Sequence, residues 1–525
     1  MSKKHNLNTE NPEQLIYSTE HVQVEILGGI RLDRLDSLRV TLKLVCNDSR
    51  QALRHNLDLY NDIQVNKLIR RAAGKLELGM AAIMDVLENL TDELETYRLS
   101  EIKANQQEEV VKEKELTKQE TTAAIKFLKQ ENLIEKTSEM IAQSGVVGEE
   151  RNALLMYLIF TSRKRSTPLH IISLGASGTG KSHLQEKVAE LIPEEDKIEI
   201  TDLSENAFYY FERNQLQHKL ILIEDLDGAD TAFYPLRELQ SKKRISKTIV
   251  KKLANGKTQT VQLVVEGPVS VAGCTTKEAI YEDNANRSFL IYIDDSKEQD
   301  EQIMNYQRQV SAGQIDTEQE DKVKELLKNT QRVLRPIKVI NPYAPYLQIP
   351  IEVFKPRRTN NHYLQFVEAI TFYHQRQREE KVNKQTGEIY IETTLEDIKI
   401  ANDLMKEVLL RKSDLLTGAC RKYFEKIKLY LIASEEKKFT NLSIGSAFRI
   451  PISTVKRYHG QLMSIGYLRA SKEKGSKTNY YQVVSYKEYQ QMQESVTGAL
   501  DELYKELKGS HPVTDHQSIS SKMSA

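Results

Sequence analysis

A glycine-rich octapeptide, Gly175-Ala-Ser-Gly-Thr-Gly-Lys181-Ser182, matches the pattern GxxxxGK[ST]. It follows an apolar run and precedes a segment with helical periodicity, which indicates a strand–loop–helix junction. Backbone N–H groups in such a loop approach phosphate oxygens without obstruction by a Cβ, and the start of the helix favours negative charge. The pattern therefore predicts ATP binding, with Lys181 at the β- and γ-phosphates and Ser182 on Mg²⁺. The predicted nucleotide-binding residues are Gly175, Ala176, Ser177, Gly178, Thr179, Gly180, Lys181, Ser182 and His183.

A pair of carboxylates follows another apolar run, about forty residues beyond the phosphate loop. Glu224 and Asp225 come directly after Leu220-Ile-Leu-Ile223. A buried strand that ends in carboxylates beside a phosphate loop is the Walker B arrangement, in which one carboxylate serves Mg²⁺ and the next polarises the attacking water. The usual order is Asp then Glu, so the reversed order here leaves the division of labour open. Ser182, Glu224 and Asp225 are the predicted metal ligands.

The elements around these motifs have different patterns along the chain. Between residues 147 and 300, short apolar runs alternate with helical patterns, which predicts an α/β fold with a parallel sheet covered by helices on both faces. Residues 301–412 have mainly helical patterns. Nearer the start, two strand-like segments and a helical segment predict an α+β unit, while the polar residues 1–20 are expected to be disordered.

Residues 241–257 contain seven basic residues and no acidic one. The pair Asn255-Gly256 between segments of alternating polarity predicts a β-hairpin. Lysines near its tip could bind the phosphate backbone of nucleic acid without reading sequence. A solvated hairpin that binds nothing is the alternative. The predicted DNA-binding residues of this hairpin are Lys251, Lys252 and Lys257.

Residues 439–484 have the layout helix, turn, helix and strand pair, which predicts a winged helix. Residues 421–480 hold 13 basic and 4 acidic residues, a balance of 13 − 4 = +9 that favours nucleic acid. Many winged helices dock proteins instead, and Ser453 could simply cap its helix. The second helix would enter the major groove with Lys456 and Arg457, and also with Ser453, Thr454 and His459.

The whole-chain composition limits the possible functions. The 525 residues include 75 Lys or Arg and 75 Asp or Glu, so a uniformly basic surface is excluded. The three cysteines are far apart and form no CxxC, so a zinc finger and a disulfide framework are not expected. The start lacks the apolar core of a secretory signal, and the longest apolar run, 153–160, is too short to span a bilayer. We expect a cytoplasmic protein with no membrane partner.

The order of these motifs resembles the ATPase module of AAA+ proteins over about 260 residues. It is most similar to the minichromosome-maintenance helicases and to related primase-associated replicative helicases of mobile elements. The resemblance implies that Thr275, in Gly273-Cys-Thr-Thr276, is the sensor 1 residue and that Arg287 is the finger that reaches ATP on a neighbouring subunit. It further implies that Arg358 is a sensor 2 arginine and that the basic hairpin faces a central pore. Two departures are Thr275 in place of Asn and a short interval before the acidic strand.

The resemblance implies an ATP-driven ring, expected to be a hexamer, that translocates on or unwinds DNA for a mobile element. Single-stranded DNA is expected in the pore and duplex at the winged helix, with replication or mobile-element proteins as further partners. An AAA+ regulator that assembles on DNA without unwinding it is the alternative, and a protein remodeller is disfavoured because no aromatic–hydrophobic–Gly pore loop is evident. The predicted domains are 1–97 (α+β), 98–135 (charged helical linker), 136–300 (ATPase core), 301–412 (helical lid), 413–490 (winged helix) and 491–525 (tail, partly disordered).

Overall fold

The computed structural model forms two compact units, Met1–Glu113 and Lys114–Ala525. The residues that it describes are 7–9, 11–32, 37–47, 51–108, 114–201, 206–227, 233–252, 258–276, 287–350, 356–472 and 478–510.

The first unit is an antiparallel five-stranded sheet covered by two helices, which confirms the predicted α+β class. Alternate residues of the central strands are buried because only one face of this sheet packs on the helices. Leu15 and Tyr17 are buried in β2, between β1 and β3, so the expectation of disorder over residues 1–20 is wrong for that segment. The last helix continues past Tyr97, the predicted end of the unit. The elements are β1 Leu7–Asn8, β2 Gln14–Ser18, β3 Val22–Leu27, β4 Arg39–Cys46, β5 Ala52–Asp58, α1 Asp62–Leu76 and α2 Met80–Glu108.

The second unit contains a parallel five-stranded sheet, which follows three helices along the chain. Its strands are buried on both faces: Ile171 packs with the helices of one face, whereas its neighbour Ile172 belongs to the hydrophobic cluster of the other. This confirms the α/β class predicted from continuous apolar runs. The elements are α3 Lys118–Leu128, α4 Leu133–Gln143, α5 Glu150–Thr161, β6 His170–Leu174, α6 Lys181–Ala189, β7 Lys197–Ile200, β8 Lys219–Ile223, α7 Phe233–Lys242, β9 Arg244–Lys252, β10 Thr258–Glu266, β11 Val269–Thr275 and β12 Phe289–Tyr292.

The strand order β12-β6-β11-β8-β7 determines which loops meet. Strand β11 lies between β6, which precedes the phosphate loop, and β8, which precedes Glu224. Strands β9 and β10 form a separate antiparallel hairpin, as predicted, with Arg244 opposite Glu266 and Lys252 opposite Thr258.

The remaining elements are mainly helical, followed by three helices and a strand pair in the order predicted for a winged helix. The last helix packs Val496, Leu500, Leu503 and Leu507 into the core of this unit, so residues 491–510 are ordered structure, while 511–525 lie outside the described residues. The elements are α8 Lys297–Ser311, α9 Thr317–Val333, β13 Lys338–Ile340, α10 Pro356–Tyr373, β14 Lys381–Val382, β15 Ile389–Glu392, α11 Leu395–Ser413, α12 Gly418–Ser434, α13 Asn441–Phe448, α14 Ile452–Ser464, β16 Leu468–Lys472, β17 Asn479–Val483 and α15 Glu488–Ser510.

A buried carboxylate joins the helices that follow the sheet. Asp397, in the first turn of α11, is fully buried and contacts His374 Nδ1 at 2.8 Å and Arg378 at 2.6 Å. Burial alone would raise the pKa of Asp397, but the contact with His374 and the hydrogen bond and positive charge of Arg378 lower it to about 2. The interaction holds the end of α10 against α11.

We predict that Asp397→Asn lowers the free energy of unfolding by about 3 kcal/mol near neutral pH, because the buried Arg378 loses its counter-charge. Urea unfolding followed by circular dichroism would measure this. Asp403→Asn, which removes a half-exposed carboxylate from the same helix, should cost less than about 1 kcal/mol.

The effect of Asp397→Asn should depend on pH with a definite sign. Because the folded pKa is about 2 and the ordinary value is 3.8, the contribution is complete above the ordinary value and is lost as the pH falls through the folded value. The difference between wild type and Asp397→Asn should therefore shrink below about pH 4. A difference that is unchanged in acid would contradict this assignment.

Candidate nucleotide site

The phosphate loop connects the end of β6 to the first turn of α6. Gly178 and Gly180 have φ angles of +82° and +84°, in the left-handed region that glycine adopts without strain. Inside the loop, Thr179 Oγ1 donates to the Ala176 carbonyl at 3.0 Å. Lys181 is 7% exposed, and its Nζ donates to the same carbonyl at 2.6 Å. These two hydrogen bonds hold the loop closed over the Ala176 carbonyl, with the Lys181 ammonium group inside it. A phosphate that entered the loop would meet this positive charge.

A cleft of about 580 Å³ lies at this edge of the sheet and contains most of the predicted nucleotide residues. It is lined by Ser177, Gly178, Gly180, Lys181, Ser182, His183, Thr201, Glu224, Asp225, Asp227, Cys274, Thr275 and Thr276. Because one strand separates β6 from β8, the phosphate loop and the carboxylates are about 10 Å apart across the sheet. We call this space the nucleotide cleft.

The two predicted acidic residues are both exposed to the nucleotide cleft, but they are held differently. Asp225 Oδ1 accepts the backbone N–H of Asp227 at 2.8 Å, which fixes its side chain in a turn. Among the described residues, no group donates a hydrogen bond to the Glu224 carboxylate.

Asp227 is a site residue that the sequence did not single out. Its carboxylate accepts hydrogen bonds from the Thr275 hydroxyl, from Thr276 N at 2.9 Å and from Thr276 Oγ1 at 2.6 Å. It therefore joins the end of β8 to the end of β11 and orients Thr275, the predicted sensor 1 residue. The only sequence signal is that Asp227 ends the acidic tetrapeptide Glu224-Asp-Leu-Asp227.

A glycine allows this connection to form. The Leu226 side chain lies directly over Gly273, where an added Cβ would be 2.7 Å from Leu226 Cγ. Leu226 N also donates to the Cys274 carbonyl at 2.9 Å. Burial raises the pKa of Cys274 to about 11, so its thiol stays protonated and is unsuited to binding a metal.

The nucleotide cleft fits Mg²⁺ by the chemistry of its donors. Ser182, Glu224 and Asp225 supply one hydroxyl and two carboxylates, and magnesium in such sites takes few protein oxygens and completes its shell with phosphates and water. Among the residues with described side chains, no group of three or more His, Cys, Asp or Glu could hold a metal by itself. The ion, when bound with ATP, would neutralise charge on the phosphates.

The predicted arginines do not line the nucleotide cleft. Arg287 and Arg358 lie in a separate cavity of about 460 Å³, which we call the arginine cavity. Arg287 Nε donates to Ser241 Oγ at 2.8 Å. His170, the first residue of β6, lines the same cavity, whereas the phosphate loop follows the last residue of β6. At about 3.3 Å per residue, the five residues of β6 put roughly 16 Å of strand between His170 and the start of the phosphate loop.

Among the described residues, the lining of the arginine cavity is basic and includes no carboxylate. Burial lowers the pKa of His170 to about 3 and that of His362 well below its usual value, so both rings are neutral. The positive charge comes from arginine and lysine. The lining residues are Thr167, Pro168, Leu169, His170, Gln240, Ser241, Lys243, Arg287, Arg357, Arg358, Asn361, His362 and Gln365.

The predicted DNA-binding residues are placed separately from both cavities. Lys251 and Lys252 occupy the last two positions of β9, with side chains outside the described parts, and Lys257 lies outside the described residues altogether. On α14, Lys456 and Arg457 are exposed.

Two expectations for α14 are wrong. His459 is fully buried between Tyr423 Oη at 2.7 Å and Asn441 Oδ1 at 2.6 Å, and burial lowers its pKa to about 4. It lies on the core face of the helix and cannot contact DNA. Ser453 is exposed but does not cap the helix, because Pro451 occupies the N-cap position.

Residues 115–336 match a family model described as the MTBMA_p00010 P-loop domain. The chain contains a P-loop NTPase domain. The matched region starts beside the boundary between the two compact units and includes the nucleotide cleft and Arg287. This P-loop domain is the fold of a nucleotide hydrolase. Arg358 and the helices from α10 onward lie outside the matched region.

Other comparisons add little to the P-loop domain. No curated protein matches the chain. A solved structure titled "Structure of Drosophila ORC bound to DNA" is 11% identical in sequence, with a TM-score of 0.23. The alignment covers 76% of this chain and 99% of that chain. A TM-score of this size supports no argument about fold or function. No described helix is both long and apolar enough to cross a membrane.

We predict that Asp227→Asn lowers the turnover of ATP about 10- to 100-fold while nucleotide affinity changes little, because the amide cannot accept from both threonines and the Thr276 N–H. Steady-state hydrolysis and equilibrium binding of a fluorescent ATP analogue would separate the two effects. Thr276→Val, which removes only one of the donors, should give a smaller loss. Unchanged turnover in Asp227→Asn would contradict the positioning role.

Proposed function

We propose that this protein is an ATP-driven AAA+ ring motor that acts on DNA, as a replicative helicase or translocase of a mobile genetic element. One observation carries the proposal: the arginine cavity, whose described lining is basic, lies at the opposite end of β6 from the nucleotide cleft of the same chain. A basic cavity of this kind suits an anionic ligand. The phosphates of ATP bound to a neighbouring copy have the required charge.

The arginine cavity and the nucleotide cleft would then form one active site between two subunits. Such an interface joins different surfaces of the two copies, and repeating it closes a ring when the rotation permits. A hexamer is the ring that the resemblance to replicative helicases implies. Arg287 would stabilise charge on the transferred phosphoryl group, and Arg358, in the same cavity, would act on the same neighbour rather than on its own nucleotide.

The nucleotide cleft supplies the other groups. Lys181 would bind the β- and γ-phosphates, and Ser182 would hold Mg²⁺ together with the strand-end carboxylates. We assign Glu224 to the metal and Asp225 to the attacking water by position, with Thr275 held against Asp227 to orient that water. The turn that fixes the Asp225 side chain supports this assignment, because the group that polarises the attacking water needs a defined position.

The basic hairpin and the winged helix are the proposed DNA contacts. In a ring, β9 and β10 would project into the pore, where Lys251, Lys252 and Lys257 would bind the backbone of a single strand. Lys456 and Arg457 would bind duplex from α14. We propose the domain limits 136–300 for the ATPase core, 301–412 for the lid and 413–490 for the winged helix.

An AAA+ regulator that assembles on duplex without unwinding it is the second candidate. The exposure of Lys456 and Arg457 on α14 favours it, since duplex binding would be sufficient for such a protein. The response of ATP hydrolysis distinguishes the two candidates, because a translocase responds to single-stranded DNA and a duplex-assembling regulator to duplex.

We predict that Arg287→Ala and Lys181→Ala each abolish ATP hydrolysis, whereas a mixture of the two variants recovers part of it. Some interfaces in the mixture pair an intact nucleotide cleft with an intact arginine cavity. Hydrolysis measured across mixing ratios should peak at intermediate ratios. If no ratio restores activity, the shared site is contradicted.

A second prediction concerns duplex binding. Replacing Lys456 and Arg457 together with Ala should weaken duplex binding and make its salt dependence shallower by about one unit of slope per lost phosphate contact. Lys437→Ala with Lys438→Ala, an exposed pair between α12 and α13, is the control for lost charge. Equal effects of the two pairs would show that α14 has no special role, and unchanged binding in both would make the winged helix a protein-docking module.

A further inference from the structure

The short helical turn Ala207–Tyr210 packs against the basic hairpin. Phe208 is fully buried in the cluster that includes Ile245 and Val265 at the base of the hairpin, and its ring lies 6.1 Å from that of Phe211. These contacts anchor the turn on the same hydrophobic core as the hairpin. The aromatic run 208–211 was not among the residues that the sequence singled out.

Lys247 also ties the turn to β9. Its Nζ donates to Asn206 Oδ1 and lies 5.4 Å from the centroid of the Tyr209 ring. This lysine is half-buried and already engaged by the turn, so its role is to hold the two elements together. The turn therefore has a fixed position relative to the hairpin.

Tyr210 remains exposed at this fixed position. At 69% exposure it is the most exposed aromatic side chain in the described parts of the chain. Neighbouring side chains of the turn are anchored in the core or against Lys247, so the exposure of Tyr210 does not reflect a loosely held segment. An aromatic ring that is held rigidly and left open to solvent offers a flat apolar face to a planar ligand.

The hairpin beside Tyr210 is basic in sequence, and the described segment that follows the turn carries one exposed acidic residue, Glu212, next to the exposed Arg213. Strand β9 contains Arg244, Lys247, Lys251 and Lys252 and no acidic residue. The only acidic residue of β10, Glu266, accepts from Arg213 at 2.7 Å and is thereby compensated. A basic surface next to an exposed aromatic ring is the combination that binds single-stranded nucleic acid, with phosphates on the cations and a base stacked on the ring.

We propose that Tyr210 is a base-stacking site for single-stranded DNA beside the basic hairpin. This inference rests on the proposed function and deepens it, because it assigns contact with the bases to the turn and contact with the backbone to the hairpin. Stacking on a ring tolerates any base, as a translocating protein requires. An extended polypeptide would also meet an aromatic side chain here, but the basic sequence of β9 favours a polyanion over a polypeptide.

The test compares two strands of equal charge. A fluorescent thymidine oligonucleotide and an abasic strand of the same length are titrated with the full-length protein in Mg²⁺ and a non-hydrolysable ATP analogue, and anisotropy gives both affinities. Wild type should bind the thymidine strand more tightly. Tyr210→Ala should weaken that binding about fivefold or more and leave abasic binding unchanged, while Tyr210→Phe should resemble wild type. Tyr346→Ala, at a tyrosine that is 52% exposed in another part of the unit, is the control and should change neither affinity.

Several outcomes would overturn the inference. If Tyr210→Ala keeps the preference for bases, the ring does not stack; if both strands weaken equally, the turn acts only through the hairpin. In each case wild-type binding to DNA persists and the proposed function stands. If wild type binds neither strand, the proposed function fails together with the inference. Stimulation of ATP hydrolysis by an unfolded polypeptide, lost in Tyr210→Ala, would make the turn a polypeptide contact instead.

Discussion

The chemistry of this protein depends on the length of one strand. The five residues of β6 separate the phosphate loop at one edge of the sheet from the arginine cavity at the other, and the strand is buried on both faces, so it cannot bend to bring them together. Arg287 lies two residues before β12, and β12 is hydrogen-bonded directly to β6. In the proposed ring, a cation fixed in this way would serve the phosphates of ATP bound to the neighbouring subunit.

The same sheet explains how the nucleotide could be sensed. Strand β11 separates the phosphate loop from the acidic strand end, and Asp227 connects the ends of β8 and β11 above it. The next elements along the chain from β8 are α7 and the basic hairpin, whose base shares a hydrophobic cluster with β8 and β11. A change at the carboxylates therefore has a short packed route to the proposed DNA contacts.

Local signals in the sequence identified the groups that act through local structure. The phosphate loop and Glu224 could be found because fixed spacing along the chain defines them. Asp227 was missed because its threonine partners are about fifty residues away and meet it only through the strand order. His459 shares a helical face with the buried Val455 and Leu462, so its spacing, and not its polarity, determines its place in the core. The tail predicted from Gln491 onward is instead a packed helix as far as Ser510, because Val496, Leu500, Leu503 and Leu507 recur at helical spacing.

The most direct test of the account is ATP turnover per chain as a function of protein concentration, with the assembly state measured in parallel by sedimentation. If the site is completed by a neighbouring subunit, turnover per chain should be negligible where the protein is monomeric and should rise to a plateau as the oligomer forms. Full turnover by the monomer, independent of concentration, would contradict the account.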